Sequence, residues 1–308
     1  MGKATRTAYG EALADLIVNN EKIVVLDADL TKSTKTNLAQ KACPERHFNM
    51  GIAEANMTSV AAGFAASGYI PFASTFAMFA TGRAWEQVRN SIGYPHLNVK
   101  ICGTHSGIAV GEDGVSHQAI EDIALMRVIS GMEVFSPCDE AQTKFVINHV
   151  ATTSNPTYVR LGRANVDDVY ALDYKFDPYK IDILNKGSKV AIIATGLMVQ
   201  KSLEAVEMLK ADGIDATLVN VCAIKPLDEN GICQVLNEHD IIVTVEEHNV
   251  IGGLGSAVSD VAVAKCPKII NKIGIQDRFA ESAEFNQLLE KYQLDGKGIY
   301  KQVKELVK

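Results

Sequence analysis

Short apolar runs alternate with helix-period segments along nearly the whole chain, and this alternation restricts the fold more than any other feature of the sequence. Runs rich in valine, isoleucine and leucine predict strands, and amphipathic segments between them predict helices. Such alternation is typical of parallel sheets covered by helices. The predicted strands are 23–26, 70–72, 99–102, 133–136, 157–161, 190–194, 217–221, 241–246 and 269–273. We therefore expect an α/β protein.

The alternation lapses once, between about residues 165 and 187. Polar residues, scattered aromatic residues and Pro178 show no sustained period there. We therefore expect two domains, 1–170 and 187–308, joined by a linker at 171–186, each with a mostly parallel sheet flanked by helices. The 308 residues are enough for two hydrophobic cores.

Composition and charge argue against several classes of protein. The net charge of −7 is spread along the chain without basic or acidic blocks, so we expect neither nucleic acid nor a membrane surface as a partner. No apolar run reaches the roughly 20 residues that span a bilayer, and the N-terminus lacks a signal-peptide core, so a cytoplasmic location is predicted. The six cysteines include no CxxC pair and are expected to be reduced thiols, not disulfides or metal ligands.

The segment 104–118, THSGIAVGEDGVSHQ, holds the densest set of candidate functional residues. It follows a predicted strand and precedes a helix predicted to begin near Ile120, so it lies where open α/β sheets bind ligands. His105, Asp113 and His117 could bind hydroxyl groups or move protons near neutral pH. A glycine-rich turn whose histidines only satisfy backbone groups is the alternative interpretation.

Glu54 and the segment 74–79 are two further candidates. Glu54 lies in or near the first turn of a predicted helix, where a carboxylate also suits the helix dipole, so a stabilising role is the alternative to catalysis. Phe76 and Phe79 are three residues apart and are predicted to share a helical face, for which core packing is the ordinary explanation.

Taken in order, these segments resemble the pyrimidine-binding and C-terminal domains of transketolases over nearly the whole chain. Residues 49–57 resemble the family's glutamate-bearing helix start, 74–79 its aromatic pocket and 104–118 its signature loop. The loop is the most specific resemblance, because it keeps the paired histidines and the GEDG core. The resemblance implies thiamine diphosphate chemistry that transfers a two-carbon ketol unit from a ketose phosphate to an aldose phosphate, as in the pentose phosphate pathway.

The resemblance also implies roles for individual residues. Glu54 would hydrogen-bond the aminopyrimidine ring nitrogen of the cofactor, Phe79 would stack on that ring, and Phe76 would line the pocket. A third aromatic residue expected in this pocket is replaced by Gly82.

At the substrate side, the resemblance implies that Asp113 binds a hydroxyl group and that His117 contacts the donor's first hydroxyl or the developing oxyanion. The residues implied for the sugar phosphate are His105, Arg163, Ser33 and Arg6. Arg160, three residues before Arg163, is a competing assignment. His105 favours transketolase over 1-deoxy-D-xylulose-5-phosphate synthase, whose loop usually lacks this histidine.

The family's diphosphate and metal site, a Gly-Asp-Gly segment followed by an asparagine, has no counterpart in this sequence. The resemblance therefore implies the C-terminal subunit of a split transketolase. A separate N-terminal subunit would bring the diphosphate site with Mg²⁺ or Ca²⁺, and the two would form an α2β2 assembly. The alternatives are a 1-deoxy-D-xylulose-5-phosphate synthase, a 2-oxoacid dehydrogenase E1 β subunit and a non-catalytic scaffold.

Two features of the second half complete the predictions. The run Gly253-Leu254-Gly255 lacks the third glycine of a dinucleotide-binding motif, so packing and dimerisation are expected there. Glu246, Glu247 and His248 are expected to form a polar network beside it.

Overall fold

The computed structural model describes residues 2–308 and contains two β-sheets with helices packed against them. The strands β1 to β12 are Ile23–Asp27, His47–Asn49, Ile70–Phe76, Lys100–Thr104, Glu133–Phe135, Thr157–Arg160, Asp182–Asn185, Val190–Ala194, Ala216–Asn220, Ala223–Lys225, Ile241–Asn249 and Ile270–Ile275. The helices α1 to α12 are Thr5–Asn19, Thr31–Thr34, Asn37–Ala42, Glu54–Ala66, Trp85–Gln87, Asp122–Arg127, Glu140–Val150, Met198–Ala211, Glu229–Glu238, Leu254–Lys265, Phe285–Lys291 and Gly296–Val307. Two 3₁₀ turns cover Pro44–Arg46 and Ile108–Asp113, and two π-helical turns cover Phe79–Arg83 and Val88–Gly93.

The first sheet has seven strands in the order β10-β5-β6-β4-β3-β1-β2. All neighbours are parallel except β10, which runs antiparallel to β5. Every residue of β1 and β4 is buried, because helices cover both faces of the sheet. This explains why the central strands are continuous apolar runs in the sequence.

The second sheet has five strands in the order β12-β11-β8-β9-β7 and is parallel apart from β7. Its central strands β8 and β9 are buried at every position. Two mostly parallel sheets flanked by helices confirm the predicted α/β class. Within residues 2–308, the longest helix has 15 residues, and no helix is both long and apolar enough to cross a membrane.

Three short strands were not predicted. β2 and β10 have three residues each; β2 has a single apolar residue, and β10 lies just after the predicted strand 217–221, so neither was recognised as a separate strand. β7 lies inside the segment proposed as a linker and pairs antiparallel with β9. β10 follows residue 187 in the chain but joins the first sheet, so the second half of the chain completes the edge of that sheet. The division at 171–186 stays a prediction.

The cysteine prediction is wrong for one pair. Cys233 in α9 and Cys266, just after α10, form a disulfide across a Cα–Cα distance of 5.8 Å. They are 33 residues apart and become neighbours only because α9 and α10 pack together, so no local spacing could reveal the pair. Cys43, Cys102, Cys138 and Cys222 are free and buried.

Candidate active site

The candidate residues gather at one edge of the first sheet. Ser33 follows β1, Phe76 ends β3, His105 follows β4 and Arg163 follows β6. These four strands are neighbours in the order β6-β4-β3-β1 and run parallel, so their carboxyl ends meet. This is the edge at which open α/β sheets bind ligands.

Glu54 begins α4 and is almost completely buried, with 1% of its surface exposed. Its Oε2 accepts a hydrogen bond from Nη1 of Arg83 at 2.8 Å. The Arg83 side chain is 52% exposed, and its guanidinium carbon lies 4.6 Å from the centroid of the Phe79 ring. The carboxylate therefore sits in a dry pocket, paired with a planar N–H donor that lies over an aromatic ring.

The predicted shared helical face of Phe76 and Phe79 is wrong. Phe76 is the last residue of β3, and Phe79 begins a π-helical turn. The two rings are nevertheless neighbours, stacked with centroids 5.8 Å apart. The end of β3 and the following turn thus form one aromatic wall. The spacing of the two residues did not predict this change from strand to turn.

Both histidines of the signature loop lie against this wall. The His105 ring stacks on Phe76 with centroids 3.9 Å apart. The His117 ring meets Phe79 edge-on at 5.3 Å and Phe76 at 6.1 Å. The loop and the aromatic pocket, found separately in the sequence, therefore form one surface.

His105 is held in a defined neutral form. Arg6 Nη1 donates to its Nε2 at 3.0 Å, so Nδ1 carries the proton and donates to Thr104 Oγ1 at 2.9 Å. Burial, followed by the charges of Arg6 and Arg163, lowers the pKa of His105 to about 3. The ring is therefore neutral at physiological pH, with both nitrogens engaged in these two hydrogen bonds.

Arg6 faces the same cleft with little compensation for its charge. Its Nη1 also donates to the backbone oxygen of Ser33 at 2.9 Å, and its buried Nε has no partner within residues 2–308. Burial and the nearby Arg163 lower the pKa of Arg6. The Ser33 contact uses the backbone carbonyl, so the hydroxyl that the sequence singled out is not part of it.

The structure separates the two competing arginines. Arg163 lines an open cleft of about 290 Å³ together with Arg6, and its guanidinium contacts the Val110 carbonyl. Glu112 lies 4.0 Å from Arg163 Nη2, at the limit of an ion pair. Arg160 is instead buried, with Nε 2.8 Å from Asp122 Oδ2. Arg163 is therefore the arginine that faces the cleft.

Asp113 stands apart from the other candidates. It ends the 3₁₀ turn Ile108–Asp113, is exposed, and its carboxylate makes no hydrogen bond within the described part of the chain. His117 is half-buried, and its Nδ1 lies 2.9 Å from Ser116 Oγ. The loop thus brings His117 into the aromatic wall but leaves Asp113 facing outward.

Arg83 was missed in the sequence, although it follows Gly82, where a third aromatic residue was expected. Gly82 is exposed, and Arg83 supplies the planar group that contacts Phe79. Its position four residues after Phe79 was the available signal, since that spacing places two side chains on one face of a helical turn.

Metal ligands were not expected on this chain. Between residues 2 and 308 no group of three or more His, Cys, Asp and Glu side chains is arranged to hold a metal ion.

Comparison with known proteins gives consistent matches. Residues 1–168 match the transketolase pyrimidine-binding domain, and residues 179–299 match the transketolase C-terminal domain. A relative from Methanocaldococcus jannaschii, described as a transketolase C-terminal section, is 48% identical over 99% of this chain and 97% of its own. A 6-deoxy-6-sulfo-D-fructose transketolase subunit from Clostridium sp. is 36% identical over 98% of this chain and 94% of its own.

A solved structure shares the same fold over almost the whole length. It is described as a split gene transketolase, inactive β4 tetramer, and it is 50% identical with a TM-score of 0.89 over 99% of this chain and 98% of that one. Together with the domain matches, these similarities establish that the chain belongs to the transketolase family, of which it carries the pyrimidine-binding and C-terminal domains.

Proposed function

We propose that this chain is the C-terminal subunit of a split transketolase that transfers a two-carbon ketol unit from a ketose phosphate to an aldose phosphate with thiamine diphosphate. One observation carries the proposal. Contacts run from Glu54 through Arg83 to Phe79, from Phe79 to His117, and from Phe79 through Phe76 and His105 to Arg6. An acid, an aromatic wall and a cationic end therefore belong to one continuous set of contacts.

Glu54 and Phe79 are the residues that would hold the aminopyrimidine ring. The Arg83 guanidinium shows that a planar hydrogen-bond donor fits between these two residues, because it donates to Glu54 and lies over the Phe79 ring. A ring with a nitrogen able to share a proton suits the same carboxylate. When bound, thiamine diphosphate would supply the nucleophilic carbon for the transfer. Glu54 would share a proton with the pyrimidine ring nitrogen and so favour the reactive tautomer of the ring.

His117 and Asp113 are proposed to meet the sugar near its reacting carbons. His117 lies against Phe79, so its free ring nitrogen is close to the proposed cofactor pocket. A histidine there can donate a hydrogen bond to a hydroxyl group or to developing negative charge. Asp113 faces outward in the isolated chain, so its proposed contact with a substrate hydroxyl requires a sugar that extends along the loop.

Arg6, Arg163, His105 and Ser33 are proposed to bind the sugar phosphate. Arg163 lowers the pKa of Arg6, and the buried Nε of Arg6 has no partner within residues 2–308, so the two arginines favour an anion between them. Neutral His105 accepts from Arg6 through Nε2, so it would orient that guanidinium towards the anion without adding positive charge. A dianionic phosphate would add acceptor oxygens to the Ser33 and Val110 carbonyls that already contact these arginines.

A partner subunit is proposed to complete the site. It would bring the diphosphate-binding residues and Mg²⁺ or Ca²⁺, and an α2β2 assembly would place each cofactor between subunits. The absence of the Gly-Asp-Gly segment from the sequence supports this. So does the similarity to a chain described as a split gene transketolase in an inactive β4 tetramer.

The test is to purify the chain alone and mixed with a candidate N-terminal subunit, and to add thiamine diphosphate and Mg²⁺. Transfer from xylulose 5-phosphate to ribose 5-phosphate is then measured. The proposal expects transfer by the mixture and none by either chain alone. Activity of the lone chain would exclude the split-enzyme arrangement.

Matched assays distinguish the alternatives. Condensation of pyruvate with glyceraldehyde 3-phosphate would indicate a deoxyxylulose-phosphate synthase, and decarboxylation of a 2-oxoacid would indicate an E1 β subunit. A mixture that assembles and binds thiamine diphosphate but is inactive in all three assays would favour a scaffold.

A further inference from the structure

The signature loop is held from outside by the second half of the chain. Ser282 Oγ donates to the Glu112 carbonyl at 2.6 Å, and Gln118 Nε2 donates to the Glu281 carbonyl at 2.9 Å. These contacts join residues 170 and 163 positions apart and fix the far end of the loop. The beginning of the loop has a different support.

That support is Glu247 in β11. Its Oε1 accepts a hydrogen bond from the backbone N–H of Ala109 at 2.5 Å, although the two residues are 138 positions apart. Ala109 lies in the first turn of the 3₁₀ segment Ile108–Asp113, where backbone N–H groups have no partner within the turn. A carboxylate at this place satisfies such a group and suits the turn's dipole.

The loop is shaped to accept this carboxylate. Gly107 has a φ of +74°, and a Cβ added to it would overlap the Glu247 carboxyl group. A residue with a side chain could not approach so closely. Glu247 is itself buried, with 4% of its surface exposed, so water does not compete for the Ala109 N–H.

Arg160 secures Glu247 from the other side. Its Nη2 donates to the Glu247 carbonyl at 2.9 Å and to the Ala119 carbonyl at 3.3 Å, while its Nε pairs with Asp122. The Gly107 N–H also donates to the Ala119 carbonyl at 2.9 Å. The two ends of the loop and β11 therefore meet around one buried guanidinium.

We infer that Glu247 is a positioning residue for the signature loop, whose carboxylate fixes the start of the turn that leads to Asp113 and His117. Glu247 does not line the cleft that Arg6 and Arg163 share. Of the predicted polar network of Glu246, Glu247 and His248, Glu247 thus contacts the signature loop. Its effect on turnover rests on the proposed function, whereas its effect on the loop does not.

Glu246 offers a matched control. It is adjacent in sequence and equally buried, and burial raises the pKa of each carboxyl to about 7. Its oxygens, however, accept from the N–H groups of Leu254 and Gly255 at 2.6 and 2.9 Å. Glu246 therefore supports the start of α10 and not the loop.

The first measurement is amide hydrogen exchange of residues 107–113 in the isolated full chain. Glu247→Ala is expected to raise exchange of the Ala109 amide about tenfold or more, since a lost charge-assisted hydrogen bond shifts local opening by that factor. Glu247→Gln keeps an acceptor oxygen and should raise it less than about threefold. Glu246→Ala should change exchange at Leu254 and leave 107–113 unaltered.

Glu247→Asp provides the same test if Glu247→Ala does not fold. It keeps the charge but withdraws the oxygen from Ala109 by one methylene, so the loop should loosen while the amides of β4 and β8 stay protected. Unchanged exchange at Ala109 in a folded Glu247→Asp protein would overturn the inference. Equal loosening by Glu246→Ala would also overturn it, because it would indicate a general loss of stability.

The second measurement uses the assembled enzyme. In Glu247→Asp, kcat should fall about 10- to 100-fold through misplacement of His117, while KM for the ketose phosphate changes less than about threefold. Glu247→Gln should restore most of kcat. A loosened loop with unchanged kcat would overturn the positioning role. An inactive wild-type mixture would contradict the proposed function instead, and the exchange result would still decide whether Glu247 holds the loop.

Discussion

The two ends of the candidate site, Glu54 with Arg83 and Arg6 with Arg163, differ in how their charges are balanced. At one end, the buried carboxylate of Glu54 already has a cationic partner, Arg83. At the other, Arg6 and Arg163 lie close enough for Arg163 to lower the pKa of Arg6, and neutral His105 offers no compensation. A ligand that binds Glu54 must displace Arg83. An anion that binds Arg6 and Arg163 instead adds a negative charge beside two cations.

This difference has a physical consequence for binding. Arg6 and Arg163, against which Glu112 makes one ion-pair contact at the 4.0 Å limit, attract an anion over several ångströms, with a strength that depends on salt. A satisfied ion pair exerts little attraction of that kind, and its replacement depends on contacts made inside the pocket. The phosphate end, which is formed by Arg6 and Arg163, should therefore determine how tightly sugar phosphates bind. The end at Glu54 should determine whether the transfer reaction occurs.

The largest expected effect is at Glu54. In the assembled enzyme, Glu54→Gln should lower kcat by about 10² to 10⁴, because the amide cannot share a proton with the pyrimidine nitrogen. The shape of the side chain is kept, so circular dichroism and the thermal midpoint should stay close to those of the wild type. If Glu54→Gln keeps more than a tenth of wild-type kcat, the role proposed for Glu54 is wrong.

Arg163→Met tests the opposite end. Loss of a charged hydrogen-bond donor should raise KM for the ketose phosphate about 10- to 100-fold. Turnover of a non-phosphorylated ketose should be unchanged, since that substrate has no phosphate to lose. Lys32→Met, at an exposed lysine next to Ser33, is the control and should leave both substrates unaffected. Equal losses with both ketoses would remove the distinction between the two ends.

The pH dependence of unfolding tests the neutral state of His105. The pKa of His105 falls from 6.5 to about 3 on folding. Between these two pH values the ring is protonated in the unfolded chain and neutral in the native protein. The stability contributed by neutral His105 is therefore complete above pH 6.5 and is lost as the pH falls towards 3. Relative to His105→Asn, the wild type should lose about 2 kcal/mol of unfolding free energy between pH 7 and pH 5.

Urea unfolding of the isolated wild type and of His105→Asn at pH 7, 6 and 5 measures this difference. A difference in unfolding free energy that stays constant with pH would show that His105 is protonated normally. The charge balance described for the phosphate end would then be wrong.

The smallest effect is expected for the Glu54–Arg83 pair in the isolated chain. Because Arg83 is half exposed, its coupling to Glu54 should be about 1 kcal/mol in a double-mutant cycle. Arg83→Met should destabilise the wild type, by leaving a buried carboxylate unpaired, and should be nearly neutral in the Glu54→Gln background. Additive effects on the urea midpoint would show that the two side chains do not form a working pair in solution.

The sequence was sufficient for the central strands of both sheets and insufficient for the edge strands β2, β7 and β10 and for several side-chain contacts. β1, β4 and β8 were predicted because burial on both faces requires continuous apolar runs. Phe76 and Phe79 were expected to lie side by side, and their rings do stack, but on a strand end and a π-helical turn instead of one helix. Arg83 was overlooked because an exposed arginine is ordinary, and its pairing with Glu54 bridges 29 residues of chain. The Cys233–Cys266 disulfide was missed for the same kind of reason.

The sequence by itself determined the α/β class, the family and the group of residues that deserve testing, because hydrophobic period and motif order are local properties of the chain. Only the tertiary structure decided which arginine faces the cleft, which tautomer His105 adopts and that Glu247 reaches Ala109 across 138 positions. Those outcomes depend on burial and on distances between strands that meet at one sheet edge. Chain order alone does not specify such distances.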